Sequence, residues 1–78
     1  MSYEVLWDWP ALATFYRLPP HSAALADRAV LRYAATGEGS LESEPPYYIL
    51  RAGKHDLMLA IDFEARTITV LRIYRARA

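Results

Sequence analysis

Cysteine is absent, which excludes disulfides and thiolate metal sites and leaves the redox compartment open. Long apolar runs are absent too, none approaching the ~18 residues of a membrane-spanning helix. The start, Met-Ser-Tyr-Glu-Val, lacks the basic-then-apolar order of a secretory leader, so a cytoplasmic protein is expected. Net charge is zero, so no overall field draws the chain to nucleic acid. The two histidines, His21 and His55, have no partners at metal-ligand spacing, and neither a metal nor a cofactor is expected. There is no internal repeat.

What is present is one small domain, residues 1–78, near the lower limit of what folds alone. A core of this size supplies only ~3–5 kcal/mol of net stability. The 54% hydrophobic content serves that core alone or a core and an interface together. Ten aromatic residues (two Trp, six Tyr, two Phe) give weight to the interface. Charge is unevenly spread: residues 1–50 carry three Arg against six acids, net −3. Residues 51–78 carry Arg51, Lys54, Arg66, Arg72, Arg75 and Arg77 against three acids, net +3. Any anion-binding surface therefore belongs to the C-terminal half.

Tyr3–Trp7 has the composition of a short strand. Asp8-Trp9-Pro10 is a helix entrance, with Pro10 at the first helical position, where its missing N–H costs nothing. That helix runs to about Leu18 with Leu12, Phe15 and Tyr16 on one side, and Pro19-Pro20 ends it. A second helix starts at His21 or Ser22 and runs to about Thr36, with Gly37 as its C-cap. Leu25, Ala29, Arg32 and Tyr33 form its stripe, broadened by Ala26 and Val30, and its alanines offer a slim packing surface. Residues 37–46 are acidic and rich in Gly, Ser and Pro, which predicts a mobile loop.

A meander follows: Tyr47–Ala52, a turn at Gly53-Lys54, His55–Asp62, a turn at Phe63–Arg66, and Thr67–Tyr74. Leu57, Leu59 and Ile61 share one face of the middle strand. In the last strand Ile68 and Val70 point one way, Leu71 and Ile73 the other. Either both faces are partly covered or a bulge shifts the register near Val70–Leu71. The fold class is α+β: β-α-α-β-β-β, a helical hairpin on one face of a mainly antiparallel four-stranded sheet. Residues 47–74 can pair locally, so the N-terminal strand is expected beside the C-terminal one.

Tyr3-Glu4-Val5, Leu50-Arg51-Ala52-Gly53, Leu59-Ala60-Ile61-Asp62 and the strand from Thr67 to Ile73 together resemble the RelE/ParE toxin superfamily of type II toxin–antitoxin systems. The resemblance covers nearly the whole chain, and the meander is its specific part. It implies a growth-inhibitory toxin neutralised by a cognate antitoxin. Some such toxins cleave mRNA on the ribosome and others poison DNA gyrase. The nucleases use basic side chains on the sheet, and here the two expected lysines fall on Tyr47 and Ile49. The arginine expected at the start of the next strand falls on Asp56, and the one after the last strand on Ala76. The expected C-terminal tyrosine has no counterpart up to Ala78.

Asp56 weighs most among these departures. A charge ~4 Å from a phosphate, at an effective dielectric near 20, is worth about 4 kcal/mol, and here attraction becomes repulsion. Ribosome-dependent mRNA cleavage would need a site rebuilt from Arg51, Lys54, His55, Arg75 and Arg77. An imidazole can act as acid or base near neutral pH, and the cations can bind phosphate. The plainer reading makes Lys54 and His55 polar turn residues, Arg51 a strand arginine paired with Asp56 or Glu64, and Arg75 and Arg77 a solubilising tail. Tyr47, Arg72, Arg75 and Arg77 are the expected partner-binding residues, taking an acidic antitoxin segment with Tyr47–Ala52 as a free edge. Trp7 and Trp9 should divide into one core and one exposed ring, as should Tyr47 and Tyr48. A gyrase poison needs a surface and no catalytic residues, which leaves a gyrase-directed or altered mechanism open. The alternative is a catalytically silent RelE-like binding module.

Overall fold

The structure, a computed structural model, describes residues 2–76. Strand β1 (Glu4–Trp7) leads into helices α1 (Trp9–Arg17) and α2 (Pro20–Thr36). Strands β2 (Leu41–Glu44), β3 (Tyr47–Ala52), β4 (His55–Asp62) and β5 (Thr67–Arg75) follow. The sheet order is β1-β5-β4-β3-β2, with β1 parallel to β5 and every other pair antiparallel. The N-terminal strand does lie beside the C-terminal one.

Local chemistry sets the helix ends. Asp8 stands in extended backbone and its carboxylate accepts the Trp9 N–H at 3.0 Å, while its carbonyl accepts from Leu12 at 3.0 Å. Helix α1 therefore begins one residue before the proline. Leu18 is extended because Pro19 follows it, and the chain turns directly into α2, with Pro20 in its first turn. Gly37 closes α2 at φ 77, its N–H donating to the Tyr33 carbonyl at 2.8 Å.

The buried stripe of α2 is Ala26, Val30 and Ala34, at i, i+4 and i+8, with Leu25, Ala29 and Tyr33 half-buried beside it. Arg32, expected on that stripe, is exposed and pairs with Glu38 at 3.0 Å. The α1 segment turns Ala11, Phe15 and, just past the helix, Leu18 to the core, whereas Leu12 is only half-buried and Tyr16 is 72% exposed, contrary to the expected grouping. Alanines at the contact let both helices approach Leu50, Leu57, Leu59, Ile68 and Val70, all fully buried on the sheet.

The sheet has five strands, not four, because residues 41–44 of the expected mobile loop are a strand. Its sequence, Leu-Glu-Ser-Glu, has poor strand propensity. Pro45-Pro46, joined by a cis bond, carries the chain back so that Leu41–Glu44 pairs with β3 from Leu50 to Tyr47. The backbone ladder and the half-buried Leu41 hold what the side chains alone do not announce. Tyr47–Ala52 is consequently an interior strand, and the edge lies at β2.

The bulge in β5 is present. Met58 faces Arg72 and Leu59 faces Val70, leaving Leu71 as the extra residue. That one-residue slip turns Ile68, Val70 and Ile73 all towards the helices. The helices cover this face; the other face carries the candidate site. Among the described residues no helix is long and apolar enough to cross a membrane.

Candidate functional site

Strand alternation projects Glu42 and Glu44 of β2, Tyr47, Ile49 and Arg51 of β3, and Asp56 and Met58 of β4 onto the face away from the helices. Past the bulge, Arg72 and Tyr74 of β5 join them. Together with Pro45 and Pro46, most of these side chains line a groove of about 770 Å³. Two rows cross it. One runs Glu42–Ile49–Met58–Arg72 through four successive strands, the other Arg51–Asp56–Tyr74 through three.

The groove is not a cationic one. Among the described residues its lining holds Glu42, Glu44 and Asp56 against Arg51 alone. Arg51 is itself committed, its Nε donating to Asp56 Oδ1 at 2.8 Å. The positions where the sequence resemblance expects basic groups, Tyr47, Ile49 and Asp56, do converge here. An aromatic ring, an aliphatic side chain and a carboxylate occupy them. Ala76, the fourth such position, follows β5 and donates its N–H to the Lys54 carbonyl at 2.8 Å.

The other candidates lie apart from this groove. His55 and Arg75 face each other across the β4–β5 pair, in phase with Leu57 and Ile73 and so on the helix side of the sheet. Lys54 sits exposed in the turn between β3 and β4. The structure thus brings together Arg51 with Asp56, and His55 with Arg75, and turns the two pairs to opposite faces. Arg77 lies outside the described residues. Among the described residues, no group of three or more His, Asp or Glu could hold a metal.

The aromatic pairs divide as expected. Trp7 is half-buried and packs on Phe15 with ring centroids 5.1 Å apart, while Trp9 is 70% exposed. Tyr48 turns to the core and meets Phe63 edge-on, and Tyr47 faces the groove. Sequence reasoning missed Glu42, Glu44 and Met58 as lining residues. For Met58 the alternation of β4 was a sufficient signal; for the glutamates it lay hidden in the unrecognised strand β2.

No known protein-family model matches the sequence, and no curated protein does. Solved structures match over nearly the whole chain. A chain of the RelBE2 toxin–antitoxin complex from Mycobacterium tuberculosis superposes with a TM-score of 0.76 at 23% identity, covering 97% of this chain and 100% of that one. A mutant of the Escherichia coli toxin RelE in the free state gives 0.78 at 18%, covering 99% and 86%. The chain has the RelE fold. The RelE–RelB complex of Pyrococcus horikoshii, at 0.73 and 19% with full coverage of both chains, extends this RelE likeness to an archaeal protein.

Proposed function

We propose that the chain is the growth-inhibiting toxin of a type II toxin–antitoxin pair, held inactive in the cytoplasm by a cognate antitoxin. The observation that carries this reading is the RelE fold itself, matched end to end by proteins solved in complex with RelB antitoxins. The acidic antitoxin segment engages the basic residues of the C-terminal strand and tail, Arg72, Arg75 and Arg77, and folds as it binds; Tyr47, expected to join them, lies instead in the groove beside Glu42 and Glu44.

The toxin acts through a protein target such as DNA gyrase rather than by cutting ribosome-bound mRNA. General acid–base cleavage and stabilisation of a charged phosphorane need cations converging on one phosphate. The groove offers three carboxylates and one arginine already paired. A catalytically silent RelE-like binding module is the second reading, favoured by the same Arg51–Asp56 pair.

The test is inducible expression, with and without the product of the adjacent small reading frame. Growth arrest relieved by the neighbour is expected, as is a neighbour that co-purifies and is lost on charge reversal at Arg72, Arg75 and Arg77. Growth that is unaffected, with a partner still recovered, selects the silent module. A complex indifferent to both salt and charge reversal removes the proposed antitoxin surface. Supercoiling assays on purified gyrase then separate a topoisomerase target from others.

A further inference from the structure

We infer that the open sheet groove binds a cation-bearing apolar segment of a partner protein, entering with a lysine or arginine over Glu42 and Glu44. This rests on the reading that the chain works through protein contacts. The row Glu42–Ile49–Met58–Arg72 presents in order an acid, two apolar side chains and a base. Neighbouring strands lie about 4.8 Å apart, so the acid and the base are separated by about 14 Å. An extended segment crossing the strands spans that distance in about four residues, and a helix in about nine.

Charge complementarity fixes the polarity of the occupant. Asp56 is neutralised by Arg51, but among the described residues neither Glu42 nor Glu44 forms an ion pair. Both stand exposed on the edge strand, opposite Ile49 and Tyr47 respectively. A phosphate entering the groove meets this acidic rim; a lysine or arginine is drawn to it, and its aliphatic stem covers Tyr47. Ile49 and Met58 then receive an apolar side chain, and methionine adapts readily to its shape. A carboxylate in the segment completes the row at Arg72. The groove, at about 770 Å³, has room for several side chains.

The test uses random peptides displayed on phage, selected against the full chain, with one enriched peptide followed by amide NMR. Enriched sequences should place Lys or Arg beside two or more apolar residues. That peptide should shift the amides of Glu42, Ile49, Met58 and Arg72, and its Kd should rise about tenfold in Glu42→Lys/Glu44→Lys. Both glutamates are exposed, so this variant keeps the fold. Mainly acidic peptides that shift Ile49 and Met58, shifts confined to the helices, or unchanged affinity in the double variant overturn the inference. So does a short single-stranded RNA that shifts Ile49 and Met58. Growth assays keep the two readings distinct. Peptide binding at the groove without growth arrest retains the groove and removes the toxin, whereas arrest without groove binding does the reverse.

Discussion

Gly53 lies against Leu25 so closely that a Cβ at position 53 would stand 2.8 Å from Leu25 Cδ1. The turn between β3 and β4 also holds Gly53 at φ 64, where side chains are strained. One glycine thus closes the hairpin and admits the N-terminal half of α2 to the sheet.

Gly53→Ala should therefore cost more than Gly37→Ala. Both carry the left-handed penalty of roughly 1 kcal/mol, but a Cβ on Gly37, at φ 77, meets nothing within 4 Å. The excess, about 1 kcal/mol from displacing a half-buried leucine, should vanish in a Leu25→Ala background. Urea unfolding of the four-membered cycle measures it. An undiminished excess in that background would assign the strain to the backbone alone.

Core truncation tests how narrow the stability margin is. Leu59 is fully buried at the centre of β4, and Leu59→Ala should cost about 2–5 kcal/mol. Because a domain of this size has only ~3–5 kcal/mol in total, the variant should be largely unfolded at 37 °C by circular dichroism. Leu31→Ala, at a side chain 51% exposed on α2, should stay within about 0.5 kcal/mol of the parent. Equal losses at the two positions would contradict the packing.

These sites show what the sequence made legible. Proline, glycine and the period-two pattern located both helices and the meander, and left a bulge near Val70–Leu71 as one of two alternatives, because each acts through local backbone chemistry. Strand β2 was not legible, since Leu41–Glu44 is held by pairing with Tyr47–Leu50 and not by its own propensity. The groove inherited that gap. Tyr47, Ile49 and Asp56 could be named from the resemblance, but the acidic rim of Glu42 and Glu44 required a fifth strand. The separation of His55 from Arg51 followed from alternation, which two neighbouring positions in a sequence of candidates do not display.

The Arg51–Asp56 pair should contribute little to stability and more to groove charge. The Arg51 side chain is 49% exposed and that of Asp56 16%, so screening limits the pair to about 1 kcal/mol. Asp56→Asn should lower the urea midpoint slightly, and Arg51→Gln should do the same. The double variant should lose less than the sum of the two, by the coupling energy of the pair. Strict additivity would show that the contact is not formed in solution.

The last expectation concerns phosphate. The parent chain should give no codon-specific cuts above background in primer extension on translated mRNA, because the groove presents Glu42, Glu44 and Asp56 and its arginine is already paired. Strong ribosomal A-site cleavage abolished by His55→Ala or Arg75→Ala would mean that the site had been rebuilt at the other end of the sheet. Restoring charge in the groove should create affinity that the parent lacks. Tyr47→Lys/Ile49→Lys/Asp56→Arg exchanges a ring, an aliphatic chain and a carboxylate for three cations and frees Arg51 from its partner. Each cation that meets a phosphate of single-stranded RNA contributes a slope of roughly −0.7 in log K against log salt. Three contacts give about −2, so binding should weaken roughly sixteenfold between 50 and 200 mM salt. Circular dichroism establishes that the variant is folded, and fluorescence anisotropy with a short RNA reads its affinity. A folded variant that still ignores RNA would show that groove charge alone does not create RNA affinity. Binding without cleavage is the expected result, since the three substitutions supply cations but no acid or base positioned at a ribose hydroxyl.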